Sequence, residues 1–540
     1  MECGSRPVAA CRRKTAATRC GIVKLRAAFD SGMTLQPVAH VPAIRSGTIR
    51  LLWLLLLAAA LAACRSGGGA RADGLEPCRL PGVEREILCG TVAMPEDPDA
   101  PAGRSIDIRY AVVPAVARNK QPDPLFVFAG GPGQAASDII AHTMPVLAQL
   151  NARRDIVYVD QRGTGRSNAL TCPEDAAGRP DFAATFDPSR QLARLHDCLK
   201  TLPGDTSQYA TWIAMRDIDA VRRQLGAERI NLLGGSYGTR AALEYLRQFP
   251  QHARSVVLDG VAPPDMALPA AFAVDSDASL TALARACAAD SRCAARFPDA
   301  AAQVDALLAR AVTGFDVMLT DPLSGAAQRV RIDQRVMAVL LRTPLYLPSL
   351  AAVLPQALLQ AAAGDFQALA ALSLAVADRT GKGLAAGMHF AVICAEDMPR
   401  IGAAQRSEAA ATRFGTVFID QYTEACAPVA TRTVPDAFYD VPRSDVPVLV
   451  LSGGLDPATP PRHGAAVAER LGNARHIVAP ALGHGILRQG CAPRLITRFV
   501  RDGDHRKLDD GCLRQIPVPS FFEPVEPFAA AAAKPPAIRR

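Results

Sequence analysis

Ser236 has the residue type and the setting that nucleophilic acyl transfer requires. It stands in Gly234-Gly235-Ser236-Tyr237-Gly238, a G-x-S-x-G motif between a predicted strand and a predicted helix. Such a turn strains the serine backbone and requires small neighbours, which Gly234 and Gly238 supply. A serine at this place projects from a helix N-terminus and can attack a carbonyl carbon. The alternative interpretation is a tight strand–helix turn without chemistry.

A carboxylate and an imidazole follow the serine along the chain. Asp456 comes after an apolar run, and Thr459 is placed to hydrogen-bond its carboxylate; the alternative is a solvated turn. His484 lies 28 residues after Asp456 in a glycine-flanked loop. There it can take the proton of Ser236 while Asp456 fixes its tautomer. His463 is the competing base near Asp456, but it stands at a predicted helix start.

Two backbone N–H groups are candidates for the oxyanion hole. Tyr237 offers the first N–H of the helix that follows the serine. The loop Gly130-Gly131-Pro132-Gly133 offers the second, for which Gly131 is the first choice and Gly130 the alternative. A plain Gly/Pro turn is the other interpretation of this loop. The chain has no G-x-x-x-x-G-K-[ST] phosphate loop and no H-E-x-x-H motif, so no organic cofactor and no metal is expected.

Short apolar runs alternate with helical patterns around these residues. The predicted strands are 125–128, 156–159, 230–233, 255–258, 448–451 and 476–478. The predicted helices are 138–150, 214–225, 239–248 and 461–471. Such alternation indicates βαβ units and a mostly parallel sheet flanked by helices. Because the order Ser, Asp, His is that of α/β-hydrolases, the pattern predicts an α/β-hydrolase fold with an inserted, mainly helical cap.

The predicted organisation has six segments. They are a leader over 1–63, a tether over 64–77, a first core part over 78–260, a helical cap over 261–440, a second core part over 441–520 and a low-complexity tail over 521–540. The leader carries nine Lys and Arg against two acidic residues, so the rest has 51 basic and 50 acidic residues. Without a basic excess outside the leader, no nucleic-acid partner is expected.

The leader has the anatomy of an export signal. Its apolar run over 51–63 is too short to span a membrane and is flanked by Arg45 and Arg50. The run ends in Leu61-Ala62-Ala63-Cys64, which resembles a bacterial lipobox, and Cys64 is then the lipidated first residue of the mature protein. The alternatives are a cleaved signal with Cys64 incidental and, for the start of translation, Met33, with 33–63 as the signal peptide.

Ten further cysteines agree with export to an oxidising compartment. An even number in successive local pairs is typical of disulfides; sequence alone leaves their connectivity open, and pairing between neighbours is the simplest arrangement. They are Cys78, Cys89, Cys172, Cys198, Cys287, Cys293, Cys394, Cys426, Cys491 and Cys512. We expect a protein of the bacterial envelope, periplasmic or lipid-anchored, that contacts the membrane only through the anchor on Cys64.

The motifs together resemble the prolyl aminopeptidase and tripeptidyl aminopeptidase group of α/β-hydrolases, above all its secreted tripeptidyl branch. Besides the glycine loop and the serine motif, the similar segments are 160–167 and 456–460, and the resemblance runs from about Cys78 to Cys512. It implies an exopeptidase that removes one to three N-terminal residues. Ala129 departs from the single-residue prolyl enzymes, which usually have His before the glycine loop.

An aminopeptidase must bind the free ammonium group of its peptide, and in this family the cap supplies the carboxylate. Glu396 and Asp397 are the candidates within the cap, since a buried carboxylate forms charge-assisted hydrogen bonds with an ammonium. A solvated acidic pair at a helix end is the alternative. The rival functions are a carboxylesterase or lipase on the same triad and a non-catalytic envelope lipoprotein. The sequence gives neither the oligomeric state nor the natural peptide.

Overall fold

A sheet of nine strands forms the centre of the described chain, which in this computed structural model comprises residues 74–172, 182–380 and 383–523, without the side chains of 377–380. The strands are β1 Glu76–Cys78, β2 Ile87–Pro95, β3 Ser105–Val113, β4 Leu125–Phe128, β5 Ile156–Val159, β6 Ile230–Gly235, β7 Ala253–Asp259, β10 Ser444–Gly453 and β11 Gly472–Ala479. Their spatial order is β1-β2-β3-β5-β4-β6-β7-β10-β11. The pairs from β1 to β5 are antiparallel, and those from β5 to β11 are parallel. The predicted mostly parallel sheet is confirmed.

Helices cover both faces of this sheet. Those of the core are α1 Ile140–Asn151, α2 Pro188–Leu199, α3 Thr211–Gln224, α4 Tyr237–Gln248, α15 Pro461–Leu471, α16 Ala492–Asp502 and α17 Gly511–Arg514. On one face α3 and α4 pack their apolar sides against β4, β6 and β7, and α15 packs there too. On the opposite face α1 and α16 bury side chains such as Leu147 and Phe499. Because helices cover both faces, the inner strands are apolar at every position, as β4 shows.

The segment between β7 and β10 forms the cap. Its helices are α5 Leu268–Ala289, α6 Ser291–Arg296, α7 Ala300–Ala311, α8 Gln334–Arg342, α9 Pro348–Ala351, α10 Leu354–Ala362, α11 Gln367–Thr380, α12 Ala386–Glu396, α13 Ala403–Ala410 and α14 Val417–Cys426. A separate hydrophobic core holds these helices together. The cap also contains an antiparallel hairpin of β8 Phe315–Thr320 and β9 Ala327–Ile332, which the helical prediction for this segment did not include.

The structure shifts two of the predicted segment boundaries. Glu76 and Pro77, assigned to the tether, pair with β2. Phe521, assigned to the tail, packs beside the cap cysteines Cys287 and Cys293. The predicted leader, Cys64 and the tail from residue 524 onward lie outside the described residues. No helix among the described residues has the length and hydropathy to cross a membrane.

The ten cysteines after the leader form five disulfides between neighbours in the sequence, which confirms the local pairing. The bonds are Cys78–Cys89, Cys172–Cys198, Cys287–Cys293, Cys394–Cys426 and Cys491–Cys512. The first ties β1 to β2, and the fourth ties α12 to α14 across the cap. Each closes a short loop and so restricts the unfolded chain.

Candidate active site

Ser236 occupies the sharp turn between β6 and α4. Its backbone has φ 55° and ψ −124°, and Asn168 is the other described non-glycine residue with positive φ. This conformation is strained for an L-residue and is maintained by the surrounding structure. The Ser236 N–H donates to the Asp259 carbonyl at the end of β7, with an N–O distance of 2.8 Å. The strained turn expected of a nucleophilic serine is therefore present.

The glycines on either side of Ser236 are required by close contacts. A Cβ on Gly234 would stand 2.3 Å from the Gly238 carbonyl oxygen. A Cβ on Gly238 would stand 2.3 Å from the Phe128 carbonyl oxygen at the end of β4. No side chain fits at either position, so the helix α4 approaches the sheet only because both residues are glycine.

Asp456 and His484 form a hydrogen-bonded pair at the ends of β10 and β11. His484 Nδ1 lies 2.8 Å from Oδ2 and 3.0 Å from Oδ1 of Asp456. The carboxylate also accepts hydrogen bonds from the Thr459 hydroxyl at 2.7 Å and the Thr459 N–H at 2.9 Å. Because a carboxylate accepts, Nδ1 of His484 carries the proton and Nε2 is left to act as a base.

The electrostatics of the pair match this assignment. Burial by itself would raise the pKa of Asp456, but the charge and hydrogen bond of His484 and the hydrogen bonds of Thr459 hold it below its usual value. Burial by itself would lower the pKa of His484, but Asp456 raises it above the ordinary value. Asp456 is therefore ionised near neutral pH and stabilises the imidazolium that forms when His484 accepts a proton.

The glycine loop lies against the serine turn. A Cβ on Gly130 would stand 3.3 Å from the Ser236 Cβ, which is tighter than most Cβ contacts, so this backbone lies close against Ser236. Gly131, the predicted second donor, has φ 108°, and a Cβ there would stand 2.8 Å from the Gly133 nitrogen. Tyr237 is the first residue of α4, so its N–H has no partner within the helix. The glycine loop thus lies against the Ser236 turn, and Tyr237 follows Ser236 with a free helix N-terminal N–H.

Sequence profiles match the two parts of the chain that carry these residues. The profile described as the α/β-hydrolase fold matches residues 123–297, which include Ser236. The profile of TAP-like proteins matches residues 410–512, which include Asp456 and His484. The chain has the α/β-hydrolase fold.

Curated relatives confirm the resemblance to the tripeptidyl aminopeptidase group. The hydrolase is 30% identical over 246 residues to "Serine protease Hip1" of Mycobacterium tuberculosis, covering 40% of this chain and 46% of that protein. It is 32% identical over 196 residues to "Carboxylesterase B" of the same organism, covering 33% and 37%. It is 29% identical over 196 residues to "Tripeptidyl aminopeptidase" of Streptomyces lividans, covering 34% and 36%. Each match spans less than half of the relative's length.

Glu396 and Asp397 were predicted to bind the ammonium group of a substrate, but in the structure both carboxylates pair with Arg240. Both side chains are fully buried at the end of α12 and form ion pairs with Arg240, one helical turn after Ser236. Asp397 also accepts the Leu268 N–H at 3.1 Å, and Glu396 accepts the Thr211 N–H at 2.6 Å. Since the carboxylate oxygens are already bonded inside the protein, the pair connects the cap to α4.

An aromatic group of the cap borders the triad and the glycine loop. The Tyr346 ring packs edge-to-face on His484 at 5.3 Å. At the other end, His389 Nδ1 donates to the Pro132 carbonyl at 3.0 Å, and the Tyr422 hydroxyl donates to His389 Nε2 at 2.9 Å. Burial lowers the pKa of His389, in keeping with this neutral tautomer. The cap therefore contacts both His484 and the glycine loop.

A cavity lies behind this aromatic group, between α2, α12 and α14. Its volume is about 680 Å³, and its apolar wall includes Leu192, Leu195, Ala386, Phe390, Tyr422 and Ala425. Tyr422 lines the cavity and also bonds His389, so the space adjoins the group that borders the triad.

Asp259 is a site residue that the sequence reasoning missed. Its carboxylate accepts the N–H groups of Ile486 and Leu487, both at 2.8 Å, in the loop that carries His484. An Asp at the carboxyl end of a parallel strand, beside the predicted nucleophile strand, is the signal that was available. The competing base His463 is engaged elsewhere, because its Nε2 lies 2.9 Å from the buried Asp275 carboxylate.

The described ranges contain no group of three or more His, Cys, Asp and Glu side chains arranged to hold a metal ion. The chemistry that the arrangement can perform is attack by a serine hydroxyl with proton transfer through an imidazole. A carboxylate orients that imidazole, and backbone N–H groups are placed for an oxyanion.

Proposed function

We propose that this α/β-hydrolase is an exported serine exopeptidase that hydrolyses peptides from the free N-terminus. Ser236 Oγ attacks the scissile carbonyl carbon while His484 Nε2 takes the hydroxyl proton. The imidazolium then gives that proton to the leaving amine as the C–N bond breaks, and a water molecule hydrolyses the acyl-serine by the same route. Asp456 orients His484, and the N–H groups of Gly131 and Tyr237 hold the oxyanion.

The observation that carries this proposal is the Asp456–His484 pair beside a strained serine turn. A strand–helix turn without a catalytic function requires neither the positive φ of Ser236 nor a buried carboxylate hydrogen-bonded to His484 Nδ1. Asp259 contacts the main chain of both loops and so brings the serine and histidine segments to one edge of the sheet. This arrangement argues against the alternative of a non-catalytic envelope lipoprotein.

The choice of peptides rests on the relatives. The TAP-like profile covers the segment of Asp456 and His484, and a tripeptidyl aminopeptidase and a serine protease are among the matched proteins. Release of one to three residues from the N-terminus is therefore the reaction proposed.

A carboxylesterase on the same triad is the second candidate. The aromatic and apolar character of the cap wall favours it, because Tyr346, Phe390 and Tyr422 offer no carboxylate for an ammonium. The match to a carboxylesterase points the same way.

A panel of fluorogenic tripeptides with free and acetylated N-termini tests the two candidates. An aminopeptidase cuts the free peptides and loses activity on the acetylated ones, because the ammonium is part of recognition. Equal cleavage of both sets would contradict the exopeptidase proposal, and cleavage of esters alone would establish the esterase. Labelling by a fluorophosphonate, with Ser236→Ala as the matched control, tests whether the protein is catalytic at all.

Export and lipid anchoring on Cys64 complete the proposal. Five disulfides favour an oxidising compartment, since cytosolic thiols are kept reduced. Intact-mass analysis of the mature protein tests both points. We expect a diacylated N-terminal Cys64 and no alkylatable thiol among the other ten cysteines. A mature N-terminus upstream of Cys64 would contradict the anchor.

A further inference from the structure

Arg342 stands at the end of α8, four residues before Tyr346, whose ring contacts His484. Its Nη2 donates to the Tyr346 hydroxyl at 2.6 Å. The Tyr346 ring packs on the His484 ring, and the Tyr346 carbonyl accepts the His484 N–H at 3.2 Å. Tyr346 therefore lies between the guanidinium and the imidazole. The positive charge is close enough to act against the raised pKa of His484.

The Arg342 guanidinium has no carboxylate partner within 4.0 Å among the residues that the structure describes. Its Nε is buried and bonds no acceptor. Instead the group stacks on aromatic rings, with the carbon Cζ 4.2 Å from the Phe272 centroid and 4.9 Å from that of Tyr346. Other cap arginines differ: Arg413, for example, pairs with Asp277 and Asp305.

Aromatic stacking stabilises the charge of the Arg342 guanidinium but does not provide hydrogen-bond acceptors for its N–H groups. A ring face attracts the positive charge, but the N–H bonds of a guanidinium lie in its plane and need oxygen acceptors at its edge. A partly buried cation with unused donors is costly unless it is paired. A carboxylate meets this need best, because its two oxygens accept two parallel N–H bonds. An anion in this place would satisfy a need that the described residues leave unmet.

The place of Arg342 indicates which part of a substrate supplies that anion. In acyl transfer by a serine, the histidine gives its proton to the leaving group, so groups around the outer side of the histidine face the leaving part. Tyr346 packs on the ring of His484, the residue that would protonate the leaving group, and Arg342 is bonded to Tyr346. A group held by Arg342 is therefore nearer to the leaving part of a substrate than to the acyl part on Ser236.

We infer that Arg342 binds a carboxylate on the leaving part of the substrate, which in a short peptide is its C-terminal carboxylate. This inference rests on the proposed peptidase function and narrows its substrates to short peptides, or to peptides with an acidic residue just after the scissile bond. Arg342 is then a specificity-determining residue.

Matched tetrapeptides that end in a free carboxylate or in a carboxamide test the inference. We expect wild type to prefer the free acid by about 10- to 100-fold in kcat/KM, the size of a lost charge-assisted bond. Arg342→Gln should abolish that preference by lowering cleavage of the acid only, and Arg342→Lys should keep part of it. Arg310→Gln is the control, because Arg310 stacks on Phe315 in the same cap at 3.7 Å without reaching the triad.

Three outcomes would overturn the inference: equal cleavage of acid and amide by wild type, an equal loss on both in Arg342→Gln, or the same loss in Arg310→Gln. Thermal unfolding and hydrolysis of a small neutral ester show that each variant is folded and that its triad works. If esters are cut and no peptide is, the peptidase proposal fails by itself. A pair of esters with a free or methylated carboxylate in the alcohol part then tests Arg342 separately.

Discussion

The main-chain N–H of Ser236 donates to the main-chain carbonyl of Asp259 at 2.8 Å. The carboxylate of the same residue accepts two N–H groups from Ile486 and Leu487, just after His484. One residue at the end of β7 therefore fixes the loop of the nucleophile with its backbone and the loop of the base with its side chain. Such support decides whether a catalytic pair is held in reacting geometry.

Asp259→Asn should lower kcat while leaving KM for a small ester nearly unchanged. The side-chain amide of asparagine has one acceptor oxygen, whereas Asp259 accepts the N–H groups of both Ile486 and Leu487. The NH₂ group of the variant would face one of these N–H groups, and the repulsion should shift the His484 loop. A misplacement of about 1 Å costs roughly 100-fold in rate. Steady-state kinetics with a neutral ester measures the effect, and an unchanged kcat would show that Asp259 does not position the loop.

Ser236→Ala should abolish turnover and leave the fold intact. The loss of a triad member typically lowers the rate by about 10⁴ to 10⁶. Alanine in place of serine keeps the tight turn sterically possible, so the unfolding temperature should change little. Activity of the purified variant equal to that of wild type would remove Ser236 from the site.

The acid limb of the pH profile should lie above the pKa of free imidazole, about 6.5. His484 must be neutral to accept the serine proton, and Asp456 raises the pKa of His484 although burial opposes the shift. Thus kcat/KM is lost as the pH falls through the raised pKa. Asp456→Asn removes the charge, so the midpoint should move down and kcat should fall by about 10⁴. Profiles over about pH 5 to 9 that share one midpoint would contradict this.

The sequence was sufficient for the parts of the fold that depend on local pattern. The strands β4 and β5 and the helix α15 have the predicted bounds, since buried parallel strands are continuous apolar runs and Pro461 marks a helix start. The antiparallel strands β2 and β3 were not individually predicted, although the alternation in β3 is itself a signal of a half-buried strand. The hairpin of β8 and β9 was missed although β8 alternates in the same way.

The partners of buried charges could not be predicted, because they come from distant elements. The sequence placed Glu396 in the cap but gave no reason to pair it with Arg240, 156 residues away. The contact of Asp259 with Ile486 crosses 227 residues. The triad was accessible because its residues occupy motif positions that the sheet topology brings to one edge.

Glu396→Gln should make the stability of the protein less dependent on pH. Burial raises the pKa of Glu396 to about 7, although Arg240 opposes the shift. Between pH 4.5 and about 7, Glu396 is therefore protonated in the folded protein but ionised in the unfolded chain, where its pKa is the ordinary 4.5. The free energy of unfolding falls as the pH rises through this range, because the unfolded state gains the ionised form. Glutamine does not titrate, so the variant lacks this loss. Unfolding temperatures of wild type and variant from about pH 4.5 to 8 measure the difference.

The same variant separates a structural role of Glu396 from the amine-binding role predicted from the sequence. A structural role changes free and acetylated peptides equally. A loss of kcat/KM confined to peptides with a free N-terminus would instead show that Glu396 binds the ammonium.

Removal of the Cys394–Cys426 disulfide should weaken peptide cleavage as well as stability. The bond joins α12, which carries His389, to α14, which carries Tyr422. Its loop of 32 residues predicts a loss of about 2–4 kcal/mol in the free energy of unfolding. Without it the two helices move apart more easily, so the His389 bond to the Pro132 carbonyl loosens and kcat for peptides falls.

The double variant Cys287→Ala/Cys293→Ala is the control, since its bond closes 6 residues at the end of α5. Equal peptide kinetics in the two double variants would show that the bond between α12 and α14 does not support the oxyanion loop.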